Sequence, residues 1–407
     1  MAQIINTRSP FYIKVSDSTL AKAELKLYIY EGTKDVTPDA ADLKYTIEKA
    51  EISASNYVVF EISELIRDYI NNQYDGEYDS YAVWVNPVIT ALDASNNTIS
   101  SPTVTPSTYS DQFIATDGYG YFDEGINPDI DKGLMMTPAT IYRVQDRSIN
   151  IPVYTDTTNS VVFRLNGETV YSKTIEYADP ANPTTSEAIQ YIASDSNSTA
   201  DSYKERVLED GGTFEDNSLL DAFNDSFDIG NVDEVYVNYT VGTEVNEDSQ
   251  TVENTATHVL KVKTFDCSKY EPVRVTFVNK YGALQDIYFT KRSDESINVK
   301  TDDYKASVMD FDNFSYNTSS HQMRTLNLVG NESVTLNTDY IDESCNEHIR
   351  QLMFSEQIWM TKLTDKEEVV PLKLANNSLQ LKKRVNDKLV QYTMQFDLAF
   401  DKINTIR

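Results

Sequence analysis

Three histidines (His258, His321, His348) and two cysteines (Cys267, Cys345) are the residues best suited to metal or nucleophile chemistry. Cys345 and His348 stand three apart, a spacing that puts both on one face of a helix. A structural zinc takes four such ligands at close quarters, and only Cys267, His258 and His321 remain to complete one. The expectation is a packed cysteine and a helix-surface histidine. The run from Asn127 to Gly133, NPDIDKG, opens like a calcium loop. Its glycine falls one place late, however, and Pro138 stands where the bidentate glutamate belongs. No EF-hand is expected.

Carboxylate pairs occur at Asp302-Asp303, Glu367-Glu368 and Glu209-Asp210, all in predicted loops or strand ends. Glycosidase acids need a defined separation across a cleft, and solvated surface is the simpler account of these pairs. The chain contains neither a phosphate-cradling glycine loop followed by Lys and Ser/Thr nor a G-x-S-x-G nucleophile elbow. No catalytic residue, no cofactor and no metal are expected.

A last group is aromatic: Tyr109, Phe113, Tyr119, Tyr121 and Phe122. These residues lie in a stretch rich in Ser, Thr, Asn, Pro and Gly that reads as loop. They would line a sugar-binding groove or pin the loop onto a neighbouring subunit. The second reading is favoured, because a loop cannot bury such rings alone. They form the candidate interaction surface.

The elements that must position these residues are mostly strands. Ala23, Leu25, Leu27 and Ile29 alternate with polar residues and Tyr28, the period-two pattern of a half-buried strand. Glu31–Lys34 reads as a turn, and strands are predicted at Leu43–Ile47 and Tyr57–Phe60. A helix follows from Ile62, Leu65, Ile66, Tyr69 and Ile70, with Ser63 as its cap. Tyr81–Val85 is a strand ended by Asn86-Pro87, and Ala94–Thr108 is a long loop. Asn166-Gly167 between Val161–Leu165 and Glu168–Ile175 predicts a hairpin with a two-residue turn. Glu271–Phe289 predicts another, with Val273, Val275 and Phe277 on its buried side. The helix predicted over 342–354 is capped by Asp342 or Asp339. It buries Cys345, Ile349, Leu352 and Met353 and turns Glu343, Glu347 and Gln351 outward. Ile358–Met360, Val369–Leu372 and one long run, Leu389–Phe400, complete the strands.

The 407 residues exceed one ordinary core. The expected fold is mainly β, a multidomain β-sandwich of immunoglobulin or fibronectin type with a few short helices. The expected divisions are 1–135, 136–258 and 259–407. Between Tyr171 and Leu260 nineteen Asp/Glu face only Lys173, Lys204 and Arg206, so a solvated acidic insertion is expected over about 177–232. The 27 tyrosines, far above 2 Trp, suit strands and wet interfaces. A net charge of −29 disfavours nucleic acid and anionic membranes as partners. With no basic-then-apolar leader and no apolar run of membrane length, synthesis and folding in a cytoplasm are expected.

Several stretches resemble tailed-bacteriophage virion proteins, similar to those of crAss-like and marine phages. They are CSKYEPVRVTFVNKYGALQDIYFTKRSDESINVKTDDYK (Cys267–Lys305), NESVTLNTDYIDE (Asn331–Glu343) and NDKLVQYTMQFDLAFDKINTIR (Asn386–Arg407). SPFYIKVSDSTLAKAELKLYIYEG (Ser9–Gly32) and FEISELIRDYI (Phe60–Ile70) carry the likeness at the other end, while the acidic middle departs from it. The resemblance implies a non-enzymatic tail, collar or baseplate subunit that connects the tail axis to peripheral fibres or spikes. Its implied partners are copies of itself and portal, tail-ring, tail or fibre proteins, and its implied place is the virion, after synthesis in the host bacterial cytoplasm. The alternative is a carbohydrate- or receptor-binding adhesin whose partner is a host-surface glycan. A polysaccharide depolymerase ranks third.

Overall fold

In the first third of the chain, alternating apolar residues build two sheets that face each other. The computed structural model describes residues 4–31, 39–52, 55–78, 81–106, 113–128, 138–144, 149–154, 159–165, 168–175, 189–194, 233–245, 251–265, 269–362, 368–376, 378–383 and 389–401. The strands here are β1 (Ile4–Asn6), β2 (Tyr12–Ser16), β3 (Lys22–Tyr30), β4 (Leu43–Ala50), β5 (Tyr57–Glu61), β6 (Val83–Leu92), β7 (Thr103–Thr105) and β8 (Phe113–Thr116). One sheet has the order β1-β8-β6-β3-β4 and the other β5-β2-β7. Leu25, Leu27, Val85 and Phe113 of the first pack against Ile13, Val15, Phe60 and Val104 of the second, closing a sandwich core. Each fully buried side chain of this kind contributes about 1.5–3 kcal/mol.

Three local expectations change here. Helix α1 spans only Ser63–Arg67, and Ser63 lies inside it rather than capping it. The cap is supplied from β5: the Glu61 carboxylate accepts the Ser63 backbone N–H at 2.9 Å and also the Ser63 hydroxyl. Strand β6 runs straight through Asn86-Pro87. Its pairing with β8 stops at Val85, so among the described residues no β8 partner stands opposite Pro87 on the side away from β3, where a missing N–H leaves the ladder intact. The loop expected at Ala94–Thr108 contains β7, which completes the second sheet through Val15↔Val104.

The middle region contributes β9 (Thr140–Val144), β10 (Ile149–Tyr154), β11 (Asn159–Leu165), β12 (Glu168–Ile175), β13 (Ile189–Ser194), β14 (Glu234–Val245) and β15 (Thr251–Phe265). Leu165 pairs with Glu168, as the expected hairpin requires, while Asn166 and Gly167 lie outside the described residues. Part of the presumed acidic insertion is strand, since β13 pairs with β10 over Ile189–Ser194; the rest of 177–232 lies outside the described residues. Strand β15 crosses the division drawn at 258/259 without a break. Its pairing with β14 and β9 extends to Phe265, so the middle sheet claims residues beyond that division.

The last third forms one seven-stranded sheet, β17-β16-β23-β24-β26-β21-β18. Its strands are β16 (Val273–Val278), β17 (Leu284–Phe289), β18 (Asp294–Lys305), β21 (Met323–Asn337), β23 (Ile358–Lys362), β24 (Glu368–Leu374) and β26 (Thr393–Leu398). Smaller pairs are β19 (Met309–Asp310) with β20 (Ser315–Tyr316), and β22 (Ile341–Asp342) with β25 (Leu389–Val390). The long strand expected over Leu389–Phe400 is thus two, broken where the Tyr392 N–H turns to the Thr338 hydroxyl at 2.9 Å. Helix α2 (Asn346–Phe354) follows a 3-10 turn, Glu343–Cys345, whose cap is Asp342: its carboxylate accepts the Ser344 N–H at 2.9 Å. Ile349 and Leu352 seal one face of the sheet over Phe277, Met360 and Phe396.

Strands β16 and β17 are buried on both faces rather than half-buried. Tyr74, Tyr78 and Trp359 cover the face that α2 leaves open. For the same reason two outward-facing expectations fail: Gln351 and His348 are both buried, held between the helix and β16 with its turn.

Candidate functional site

Of the five aromatic candidates, Tyr109 lies outside the described residues. Phe113 is a core residue of β8, edge-on to Phe11 at 5.6 Å, and offers no surface. The reason is the strand itself, which begins at Phe113 and turns it into the sandwich. Tyr119 and Tyr121 do meet, at 5.8 Å, and both pack edge-on against Phe354 at the end of α2. Only Phe122 stands fully in solvent.

The loop carrying them is a clamp inside the chain. The Tyr119 N–H donates to the Lys280 carbonyl at 2.8 Å, and the Arg8 N–H to the Gly118 carbonyl at 2.9 Å. The two glycines of this crossing are required by closeness. A Cβ on Gly118 would lie 2.7 Å from the Lys280 carbonyl oxygen, and one on Gly282, whose φ is +79°, would lie 2.7 Å from Thr116 Cβ. The Lys280 ammonium sits 4.4 Å over the Tyr121 ring and pairs with Glu124. The Tyr121 hydroxyl donates to the Glu347 carboxylate. Burial raises the Tyr119 hydroxyl to about 12 and lifts that of Tyr121 further, so both stay protonated.

Charged groups extend the clamp. The Arg8 guanidinium donates to the Phe354 carbonyl at 2.8 Å and pairs with Glu356 at 3.2 Å. Arg67 bridges Glu356 and Asp117, the latter at 3.3 Å. Burial raises the Asp117 carboxyl, against the pull of the Arg67 and Arg8 guanidinium groups. On the far side of β16, the Arg274 guanidinium donates to the Tyr74 hydroxyl at 3.0 Å, and the Tyr78 hydroxyl to Asp286 at 2.6 Å. These buried polar groups hold the sandwich to the seven-stranded sheet.

Asp286, Tyr288, Cys345 and His348 are among the residues that line a cavity of about 30 Å3. That volume holds one water. Burial pushes the Cys345 thiol up to about 12 and His348 down to about 3, so the pair is thiol and neutral imidazole. The thiol donates to the Thr140 carbonyl at 3.3 Å. His258 is in β15 and His321 beyond β20, on different elements from His348. Among the described residues no three His, Cys, Asp or Glu side chains gather as a metal site. Cys267, Asp129, Asp131, Glu209, Asp210 and Glu367 lie outside those residues. Asp302 and Asp303 are exposed near the end of β18, where its register with β21 shifts. Asn127 serves the fold: its amide group exchanges hydrogen bonds with the Tyr12 backbone at 2.8 and 2.9 Å.

The feature that motif reasoning passed over is a ribbon. All twelve residues of β18 are exposed. Its partner β21 joins β26 over Ser333–Asn337, and up to Glu332 the two strands pair only with each other among the described residues. Twelve strand residues reach roughly 40 Å. Ile297, Val299 and Thr301 share one face with Leu328, Gly330 and Glu332, and a bulge adds Leu326. Ile297 is 67% and Leu326 75% exposed. The ribbon ends in the β19–β20 turn, where Phe311 and Phe314 stand 70% and 83% exposed. The Asp310 carboxylate orders that turn by accepting the Asn313 side-chain amide at 2.8 Å and the Asp312 N–H at 3.1 Å. The alternation of Ile297 with Val299 and of Leu326 with Leu328 was the sequence signal, but alternation does not say whether anything covers the apolar side.

Neither a scan against protein-family models nor a search of curated proteins finds a match to this chain. Among the described residues no helix is long and apolar enough to cross a membrane.

Proposed function

We propose that this protein is a non-enzymatic structural subunit of a tailed-phage virion, in the tail, collar or baseplate, where it connects the tail axis to peripheral fibres or spikes. The observation that carries the reading is the projecting ribbon. It is a built, hydrogen-bonded element whose apolar residues Ile297, Val299, Leu326 and Leu328 and aromatic tip stand exposed among the described residues. Contiguous exposed apolar surface of this kind marks contact sites. An isolated two-stranded ribbon gains most of its stability from what it packs against. The sequence resemblance supplies the virion as the setting, with copies of the chain and neighbouring tail proteins as partners.

The test is the composition of purified particles, by mass spectrometry of virions and immunogold labelling with antibody to the chain. Stoichiometric copies with label at the tail or collar support the reading. Absence of the chain from particles that infect normally overturns it.

A further inference from the structure

Strand β26 stands between β24 and β21 but is shorter than either. It pairs with β21 over Ser333–Asn337 and with β24 over Leu372–Leu374. One bond more follows, from the Ala399 N–H to the Pro371 carbonyl at 3.0 Å. Its two neighbours run on beyond it, β24 back to Glu368 against β23 and β21 back through Glu332 against β18. Residues of both wall a recess of about 700 Å3. The lining is apolar at Ile297, Val334, Met360, Val370, Leu398 and Phe400. Its charges are unequal: Glu295, Glu332 and Glu368 stand against Lys362, which already pairs with Glu295 at 2.8 Å. Electrostatic complementarity therefore calls for a cationic occupant, and the lining for an aliphatic one.

The chain carries a segment of that kind at the mouth of the recess. Phe400 belongs to the lining, and Asp401 is the last described residue. The next six, Lys402-Ile403-Asn404-Thr405-Ile406-Arg407, lie outside the described residues. They include two cations, two isoleucines and no acid. Six extended residues reach roughly 20 Å, enough to cross the recess from Asp401.

We propose that residues 402–407 seat in the recess of their own chain, the isoleucines meeting its apolar lining and Lys402 and Arg407 its glutamates. The seated segment ties the end of β26 to the root of the ribbon. This contact is independent of the virion reading, since both of its sides belong to one chain.

The experiment uses the full chain with a photo-crosslinking residue in place of Thr405, irradiated in dilute solution and mapped by mass spectrometry. Crosslinks within one chain to peptides carrying Ile297, Glu332 or Val370 are expected. Crosslinks absent there overturn the proposal, as do crosslinks formed only between chains, which would give the recess to a second copy. Charge reversal then tests the match. Lys402→Glu with Arg407→Glu is expected to lower the yield at the recess about fivefold, and Glu332→Lys with Glu368→Lys to do the same. Neither glutamate is a buried residue, and an unchanged melting temperature is expected of each variant. All four substitutions together bring opposite charges back to the two sides and are expected to recover the yield. A yield that neither reversal lowers, or that the combination fails to recover, overturns the proposal.

Discussion

Gly282 shows how one side chain too many would loosen the join between the two halves. Its φ of +79° is the left-handed region, and an added Cβ would press on Thr116 and on the Asp117 and Gly118 backbone. Gly282→Ala is expected to cost about 2 kcal/mol or more, from the left-handed penalty plus the clash; urea unfolding measures it. His348 makes a second prediction at this scale. Its folded value, about 3, lies below the ordinary 6.5, so below pH 6.5 the unfolded chain takes up a proton that the folded chain refuses. Stability is therefore lost as pH falls from 6.5 toward 3, at about 1.4 kcal/mol per unit from this group. The Asp286 carboxylate and the Cys345 thiol line the same cavity, and the thiol stays neutral throughout. His348→Leu is expected to flatten the denaturant midpoint between pH 6.5 and 4 relative to the unsubstituted protein. An equal slope in both would refute the assignment. That His348 is buried was not readable from its spacing to Cys345, because a helix period gives a shared face without saying which face is covered.

At the scale of elements, the ribbon and the clamp have opposite energetics. The clamp loop 117–124 buries Tyr119 and orders buried charge, so the halves depend on it. The ribbon beyond Ile297 and Glu332 gives the core almost nothing. Replacing residues 298–331 by Asn-Gly, a turn suited to closing the shortened hairpin, is expected to leave the melting temperature within a few degrees while abolishing self-association. Calorimetry and light scattering on the same sample check both halves of that statement. A collapse of the fold would show that the ribbon is part of the core after all. The strands β3, β5, β11, β12, β16 and β17 were legible because each has its own alternation or turn residues. The course of β6 through Pro87 was not, since the tolerance of that proline depends on where β8 stops.

For the whole molecule, the charge of −29 sets the terms of assembly. Copies repel, and the repulsion reaches about 30 Å at 0.01 M salt but about 8 Å at 0.15 M. A contact made by Phe311 and Phe314 gains nothing from charge, so self-association is expected to strengthen as salt rises from 10 to 150 mM. Sedimentation across a sodium chloride series reads this directly; weakening with salt would point instead to a basic partner surface. Within the chain, the same acidity is tolerated because cations are spent at the join, where Arg8, Arg67, Lys280 and Arg274 each meet a carboxylate or a buried tyrosine.

By itself the sequence determined the class of the protein. Period-two alternation, β-branched and tyrosine-rich composition and turn residues at Asn166-Gly167 and Gly282 are local properties, and they yield a mainly β chain with two short helices among the described residues. Tertiary structure decided what faces what. The rings of Tyr119 and Tyr121, expected to reach a neighbouring subunit, are taken up by Phe354 of the same chain. Among the described residues the ribbon carries exposed apolar side chains instead, as does Phe122. The physical reason is that alternation specifies an apolar side, whereas burial requires a second surface. That second surface lies more than two hundred residues away for Tyr121, and is found nowhere among the described residues for Phe311 and Phe314.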